Sequence, residues 1–171
     1  MDALIRHQKS APCIHKTTLV VSNQHGVGGL RKADVHGVDS EIIEVDTSIT
    51  SAKMRREDHE NRIMNVLEKY NIEVVILSGY MRILSPLFVR QWKGRLLNIH
   101  PSLLPKYPGA HAHRDALADG ANVSGCTVHL VDEGVDTGQI LAQREVPVLP
   151  EDDEHTLSER IKKIEHVLYP L

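Results

Sequence analysis

The sequence predicts an α/β protein whose strands form a doubly wound, mostly parallel sheet. Two short apolar runs, at 17–21 and 74–77, are rich in β-branched residues, as strands buried on both faces of a parallel sheet usually are. A long stretch between them has apolar residues at helical spacing, so the chain contains the strand–helix–strand unit from which such sheets are built. Strand and helix signals continue to alternate along the chain, which is typical of α/β proteins.

The first half of the chain is predicted to contain, in order, a short helix at 2–8, the strand at 17–21, a helix that starts near 26–30, a strand at 42–45 and a helix at 53–70. The last of these helices is amphipathic, and it can end at Asn71. Its apolar face consists of Ile63, Met64, Val66, Leu67 and Tyr70. Its charged residues are expected to face water: Arg55, Arg56, Glu57, Asp58 and Glu60.

The second half is predicted to contain the strand at 74–77, further strands at 95–99, 126–131 and 139–143, and helices at 109–118 and 156–169. The final helix carries one apolar stripe, formed by Leu157, Ile161, Ile164, Val167 and Leu168. In a doubly wound sheet, ligands bind beyond the carboxyl ends of the strands. Functional residues are therefore expected at 78–84, at 98–101 and in the 131–138 loop.

Length and composition indicate a single cytoplasmic domain. The chain has 171 residues, and 20 Lys and Arg against 23 Asp and Glu give a net charge of −3. This balance and an aromatic content of 4% argue against nucleic acid as a partner. The sequence has no apolar run long enough to span a membrane and no secretion signal, so we expect a cytoplasmic protein. Cys13 and Cys126 are accordingly expected to be reduced thiols.

Asn98 and His100 stand two residues apart at the end of the strand predicted at 95–99. Side chains two apart on a strand point to the same side. In that arrangement Asn98 can donate to a developing oxyanion while His100 moves a proton. The same spacing fits a structural role in which both side chains only satisfy nearby backbone groups. Spacing alone leaves both interpretations open.

An acidic, glycine-containing loop is predicted at 131–138. Such loops usually face solvent, but a carboxylate of this loop could also lie against a histidine and fix its orientation. The loop lacks the spacing of a calcium site. His111 and His113, with His100 and His129, raise the possibility of zinc, but no cysteine or HExxH motif supports it, so no metal is expected.

Three segments together are similar to one enzyme family. They are SGYMRILS at 78–85, LNIHPSLLP at 97–105 and the DTG turn at 136–138, and the helix end EHVLYP at 165–170 extends the match. On these motifs, the chain resembles the phosphoribosylglycinamide formyltransferases (GAR transformylases), the folate-dependent enzymes of purine biosynthesis. The resemblance implies their Rossmann-type formyltransferase fold.

The resemblance also implies a reaction, the transfer of a formyl group from 10-formyltetrahydrofolate to the amine of glycinamide ribonucleotide without a metal. By resemblance, His100 transfers the proton, Asn98 donates to the oxyanion of the tetrahedral intermediate, and Asp136 orients His100. The implied partners are these two small molecules, with no nucleic acid and no membrane. The protein is expected to be a monomer or a homodimer.

Two sets of binding residues follow from the resemblance. The folate side comprises Arg56, Met81, Arg82, Ile83, Leu84, Asn98, Asp132, Glu133, Gly134, Val135 and Asp136. The side that binds glycinamide ribonucleotide comprises Lys162, Lys163, Ile164 and Glu165, with Glu165 facing the amine. Without the resemblance, Lys162 and Glu165 would be assigned to an exposed helix face.

The sequence departs from the family at its ends. Family members begin with an apolar strand and a glycine-rich G-x-G-S-N turn, which binds the substrate phosphate through backbone N–H groups. Neither is found here, and the missing strand is central in the family's sheet, between the strands at 17–21 and 74–77. The expectation is one formyltransferase domain over 1–171, truncated at both ends.

Two alternatives stay open. Related formyltransferases act on methionyl-tRNA or hydrolyse 10-formyltetrahydrofolate, but they normally carry a further domain that 171 residues cannot hold. The other alternative is a non-catalytic homologue that at most binds folate, because a missing central strand would leave buried backbone groups unpaired.

Overall fold

Helices and strands alternate along most of the chain. In the computed structural model, which describes residues 1–10 and 12–171, the elements are α1 (Asp2–Ser10), β1 (Leu19–Ser22), α2 (Gly28–His36), β2 (Asp39–Ile42), α3 (Ala52–Lys69), β3 (Val75–Ile76), α4 (Pro86–Gln91), β4 (Leu96–His100), α5 (Ala112–Ala118), β5 (Val123–Leu130), β6 (Ile140–Pro147) and α6 (Glu154–Leu168). The predicted α/β class is confirmed.

The described residues divide into two compact units: Met1–Glu73 with Ile83–Phe88, and Val74–Arg82 with Val89–Leu171. The first unit contains the parallel pair β1–β2, and the second contains a sheet in the order β3-β4-β5-β6. β3 and β4 are parallel, whereas the β4–β5 and β5–β6 pairs are antiparallel, so this sheet is mixed. A short loop joins β5 to β6, and so short a connection links only antiparallel neighbours. The prediction of one domain over 1–171 stays a prediction.

The expectations for three strands need correction. β2 lies at Asp39–Ile42, three residues before the predicted 42–45 run, because it pairs with β1 from Asp39 onward. The side chain of Ile43, just after the strand, is the buried one. Burial of the 17–21 and 74–77 runs on both faces is also wrong, since Thr18 is exposed, the residues of β1 are only half-buried and Val74 is 47% exposed. In the described chain β3 is an edge strand of its sheet, and an edge strand is not covered on all sides.

Glu60 does not face water as predicted, because its side chain is only 1% exposed. Its carboxylate accepts a hydrogen bond from the Ser85 backbone N–H (2.9 Å) and another from the Ser85 hydroxyl. The Ser85 hydroxyl in turn accepts from the Phe88 N–H (3.3 Å), so Glu60 supports the start of α4. α4 was not predicted from the sequence, since six residues are too few to show a helical period.

Alternation along β4 and β5 gives the sheet of the second unit two different faces. One face is apolar and packs against α6, and its sheet residues are Leu97, Ile99, Cys126, Val128, Ala142 and Val146. The other face is polar, because cross-strand pairs place their side chains on the same side of a sheet. Its residues are Asn98, His100, Thr127, His129 and Gln143. We call this second set the polar face.

α6 covers the apolar face. A capping box starts the helix, in which the Asp153 carboxylate accepts from the Thr156 N–H (2.8 Å) and the Thr156 hydroxyl accepts from the Asp153 N–H (3.0 Å). Most of the predicted stripe lies against the sheet, as Leu157 and Ile161 show with 0% exposure. Val167 is the exception, being 64% exposed. At 3.6 residues per turn it lies roughly a quarter of a turn from the centre of the stripe.

None of the helices in the described chain has both the length and the apolar character that crossing a bilayer requires.

Cys13 and Cys126 are both free, and burial raises the pKa of the Cys126 thiol to about 12, so this residue stays protonated inside the core.

Candidate active site

The polar face brings two predicted residues beside two others. In the antiparallel register of β4 and β5, Asn98 lies opposite His129 and His100 lies opposite Thr127. The amide nitrogen of Asn98 is 3.4 Å from Nε2 of His129. Nδ1 of His129 donates to the Leu130 carbonyl at 2.9 Å, which leaves Nε2 facing Asn98. The end of β4 therefore presents an amide and an imidazole side by side.

Asp136 of the β5–β6 loop points at both histidines. Its Oδ2 is 3.3 Å from Nδ1 of His100, and its Oδ1 is 3.6 Å from Nε2 of His129. Oδ2 also accepts a hydrogen bond from the Gly109 backbone N–H at 2.8 Å. One carboxylate of the acidic loop thus lies against the histidine at the strand end. The Asp136 side chain is 14% exposed.

The electrostatics of Asp136 and His129 favour their charged forms. The hydrogen bond from His129 is the main cause that lowers the pKa of Asp136, with help from the Gly109 N–H and from His100, while burial opposes it. Burial acts to lower the pKa of His129, but Asp136, the Leu130 carbonyl and the charge of Asp132 together raise it. Asp136 is therefore an anion at neutral pH, as a group that stabilises an imidazolium must be.

The second ring nitrogen of His100 is also engaged. Nε2 donates to the Tyr107 carbonyl at 2.8 Å, and the ring is only 5% exposed. Nε2 thus satisfies a local backbone group, as the structural interpretation of His100 predicts, while Nδ1 faces Asp136. The ring lies between two oxygen atoms, the Tyr107 carbonyl and Oδ2 of Asp136, an arrangement that holds it firmly.

Thr127 secures the turn that follows His100. Its hydroxyl donates to the Ser102 carbonyl (2.6 Å) and accepts from the Leu104 N–H (3.1 Å) and from Nε2 of Gln143 (2.8 Å). Three bonds use the full capacity of a hydroxyl group. Nε2 of Gln143 also donates to the Leu104 carbonyl at 2.8 Å, so the polar face fixes the backbone beyond the strand.

A cavity of about 220 Å³ opens between the loop after β4 and the β5–β6 loop. It is lined by Leu104, Pro105, Pro108, Val135, Asp136, Thr137, Gly138 and Ile140. Its walls are mainly apolar, and Asp136 supplies the charge.

The other residues assigned to folate lie in several places. Met81 and Ile83 are largely exposed, at 79% and 72%, Arg82 is exposed and Leu84 is half-buried. Arg56 lies on α3 in the first unit, and its buried Nε has no hydrogen-bond partner among the described residues.

The acidic loop supplies the remaining residues on the folate side. Four of them are exposed: Asp132, Glu133, Gly134 and Val135. Glu133 forms a two-point ion pair with Arg90, whose Nε lies 2.7 Å from Glu133 Oε1 and whose second contact is 3.2 Å long.

The residues assigned to the second substrate face different ways on α6. Lys162 and Lys163 are exposed, and Lys162 pairs with Glu159 at 2.7 Å. Ile164 packs against the core instead. Glu165 is half-buried, and burial raises the pKa of its carboxyl.

Two residues of the polar face, Thr127 and His129, were not predicted to lie beside Asn98 and His100. The signal was present, because Cys126-Thr127-Val128-His129-Leu130 alternates apolar and polar residues as Leu97-Asn98-Ile99-His100 does. Two strands with the same alternation that pair in one sheet share a polar face.

Within residues 1–10 and 12–171, no three His, Cys, Asp or Glu side chains are arranged to hold a metal ion.

Comparison with known proteins assigns the chain to a family. The family model described as formyl transferase matches residues 1–171. The trifunctional purine biosynthetic protein adenosine-3 of Drosophila melanogaster is 48% identical over 162 residues, which are 94% of this chain but only 12% of that protein. The phosphoribosylglycinamide formyltransferase of Escherichia coli K12 is 43% identical over 152 residues, covering 89% of this chain and 69% of the bacterial enzyme.

A solved structure is similar over nearly the whole chain. The phosphoribosylglycinamide formyltransferase of Brucella melitensis superposes with a TM-score of 0.90 at 43% identity, covering 99% of this chain and 85% of that one. The chain therefore spans a small part of the trifunctional relative and most of the two phosphoribosylglycinamide formyltransferases.

Proposed function

Since the chain belongs to the formyl transferase family, we propose that it transfers a formyl group from 10-formyltetrahydrofolate to the amine of glycinamide ribonucleotide in purine biosynthesis. The observation that carries the proposal is the contact of Asp136 with His100 beside Asn98 at the end of β4. Amide, imidazole and carboxylate are the groups that acyl transfer to an amine requires.

Asn98 stabilises the oxyanion. When the amine attacks the formyl carbon, a carbon–nitrogen bond forms and the carbonyl electron pair moves to oxygen. The amide nitrogen of Asn98 carries two hydrogens, and it can donate one of them to this oxygen. A preorganised donor of this kind contributes about 10²–10³ in rate.

His100 moves the proton, and Asp136 stabilises the imidazolium. The attacking amine loses a proton to His100, and the imidazolium returns a proton to N10 of the folate as the carbon–N10 bond breaks. Nε2 can take part only after its hydrogen bond to the Tyr107 carbonyl opens, whereas Nδ1 stays against Asp136. The anionic carboxylate of Asp136 stabilises the imidazolium once it has formed.

The binding residues are part of the same proposal. Backbone groups of 81–84 and 132–136 hold the folate. Arg56, whose buried Nε has no partner within residues 1–10 and 12–171, binds on the folate side. The 162–165 segment binds glycinamide ribonucleotide. Glu165 supports this assignment, because a half-buried carboxyl whose pKa is raised by burial is stabilised as an anion by a cationic partner, such as the substrate ammonium group.

Formyl transfer from labelled 10-formyltetrahydrofolate to glycinamide ribonucleotide tests the proposal, with the His100→Ala variant alongside. We expect the variant to lose at least a hundredfold in rate. His155→Ala, which removes an exposed histidine at the start of α6, is the matched control and is expected to behave as the wild type. Release of formate in the absence of the amine substrate would contradict the proposal and indicate a hydrolase.

A further inference from the structure

The acidic loop that carries Asp136 is closed by a side-chain contact within the loop. Oδ1 of Asp132 accepts a hydrogen bond from the Thr137 hydroxyl at 2.7 Å and another from the Gly134 backbone N–H at 3.0 Å. One oxygen therefore joins both ends of the 132–137 segment. We call this pair of bonds the loop clamp.

The backbone around the loop clamp is packed too tightly to tolerate other arrangements. A Cβ added at Gly134 would lie 2.0 Å from the Thr137 hydroxyl oxygen, and one added at Gly138 would lie 1.7 Å from the Leu130 carbonyl. At the base of the loop, the Leu130 N–H donates to the Gln139 carbonyl at 2.9 Å. Gly134 thus permits the close approach of Thr137 in the clamp, and Gly138 permits the close approach of the loop to the Leu130 carbonyl.

Asp136 has a backbone conformation that the loop must impose. Its φ is +54°, in the left-handed region that residues with a side chain rarely occupy. Thr137 is the next residue, so the loop clamp restrains the peptide unit beside Asp136. The bonds from Gly109, His100 and His129 hold the carboxylate, whereas the clamp holds the backbone from which the carboxylate extends.

We propose that Asp132 and Thr137 are positioning residues whose hydrogen bond holds Asp136 in the left-handed conformation that directs its carboxylate at His100 and His129. The inference rests on the proposed function, because it assigns Asp136 the role of stabilising the imidazolium. Without the clamp, a larger fraction of molecules has Asp136 at negative φ, where its carboxylate is away from the two rings, and the remaining fraction keeps the contacts with Gly109, His100 and His129. The nearby pair of Glu133 and Arg90 is exposed, and exposed ion pairs contribute little.

Thr137→Val tests the inference, because it keeps the shape of the side chain and removes the hydroxyl. We expect kcat to fall about threefold to tenfold, which is the effect of losing one hydrogen bond. NMR of labelled histidine rings should show His129 titrating at lower pH than in the wild type, since Asp136 no longer supports its charge. Thr137→Ser restores the hydroxyl, and both quantities should return to wild-type values. Thr18→Val, at an exposed threonine, controls for the substitution.

A double-mutant cycle adds a second variant. If one bond is responsible, Thr137→Val has no further effect in an Asp132→Ala background. The inference is overturned if Thr137→Val matches the wild type, if kcat falls while the His129 titration stays unchanged, or if the titration moves without a loss of kcat. If the wild type itself transfers no formyl group, the proposed function fails, but the His129 titration still shows whether the clamp positions Asp136.

Discussion

Replacing Thr127 with Val removes a buried hydroxyl that makes three hydrogen bonds. Thr127 is 0% exposed, and Val fills nearly the same space, so the cost falls on polar groups and not on a cavity. The Leu104 N–H loses its acceptor and the Ser102 carbonyl loses its donor, and both residues are buried. Gln143 keeps its bond to the Leu104 carbonyl.

Two buried backbone groups left without these partners cost about 1–3 kcal/mol each, so Thr127→Val should lower the free energy of unfolding by about 2–6 kcal/mol. The melting temperature should fall by about 2–4 °C for each kcal/mol. Urea unfolding followed by circular dichroism measures the loss. Thr127→Ser is the matched control, because it keeps the hydroxyl and should lose only about 1 kcal/mol for the missing methyl group.

An unfolding free energy of Thr127→Val within about 0.5 kcal/mol of the wild type would refute this reasoning, since surface substitutions already have effects of that size. The same variant should lose formyl transfer, because Ser102 and Leu104 belong to the turn that follows His100. If Thr127→Val lost activity but kept its stability, or lost stability but kept its activity, the effects of the hydroxyl on folding and on formyl transfer would be separate.

Asp136→Asn should lower kcat about 10²–10⁴-fold, and a loss of less than tenfold in the transfer assay would contradict its role as the partner of the imidazolium. The raised pKa of His129 makes the folded state hold its proton more tightly, so this stabilisation is complete below about pH 6.5 and disappears as pH rises through the folded-state value; urea titrations at a series of pH values should show the decline in wild type and not in Asp136→Asn. Ile161→Ala should destabilise the protein by about 2–5 kcal/mol in thermal or urea unfolding, because Ile161 is 0% exposed beneath the sheet. Glu60→Ala should destabilise it by about 1–3 kcal/mol by removing the acceptor of the Ser85 N–H, and Glu60→Gln, which keeps an acceptor oxygen, should lose less.

Local periodicity was enough to predict most elements. The 53–70 stretch becomes α3 at Ala52–Lys69, and the 156–169 stretch becomes α6 at Glu154–Leu168. Both helices are long enough for several turns of pattern to accumulate. β2 was misplaced by three residues because its position follows from pairing with β1, which no local pattern contains.

The features that were not predicted depend on contacts between residues that are far apart in the sequence. Glu60 was expected to face water because it is charged. It is buried instead, where it accepts a hydrogen bond from Ser85, 25 residues away in the sequence. At the site, Asn98 and His100 were visible as a pair on one strand, whereas His129 joins them only through the β4–β5 register. The loop clamp depends on a turn conformation that follows from Asp132, Gly134 and Thr137 together.

The two faces of the β3–β6 sheet link folding specificity to chemistry. A slip of β4 against β5 by one residue would turn every side chain to the opposite face. Asn98 and His100 would then lie against Leu157 and Ile161, and Leu97 would face the acidic loop. The register that buries the apolar residues is the one that places Asn98 and His100 beside His129, so misregistered chains lose both arrangements together. Selection for a well-packed core is at the same time selection for the position of His100.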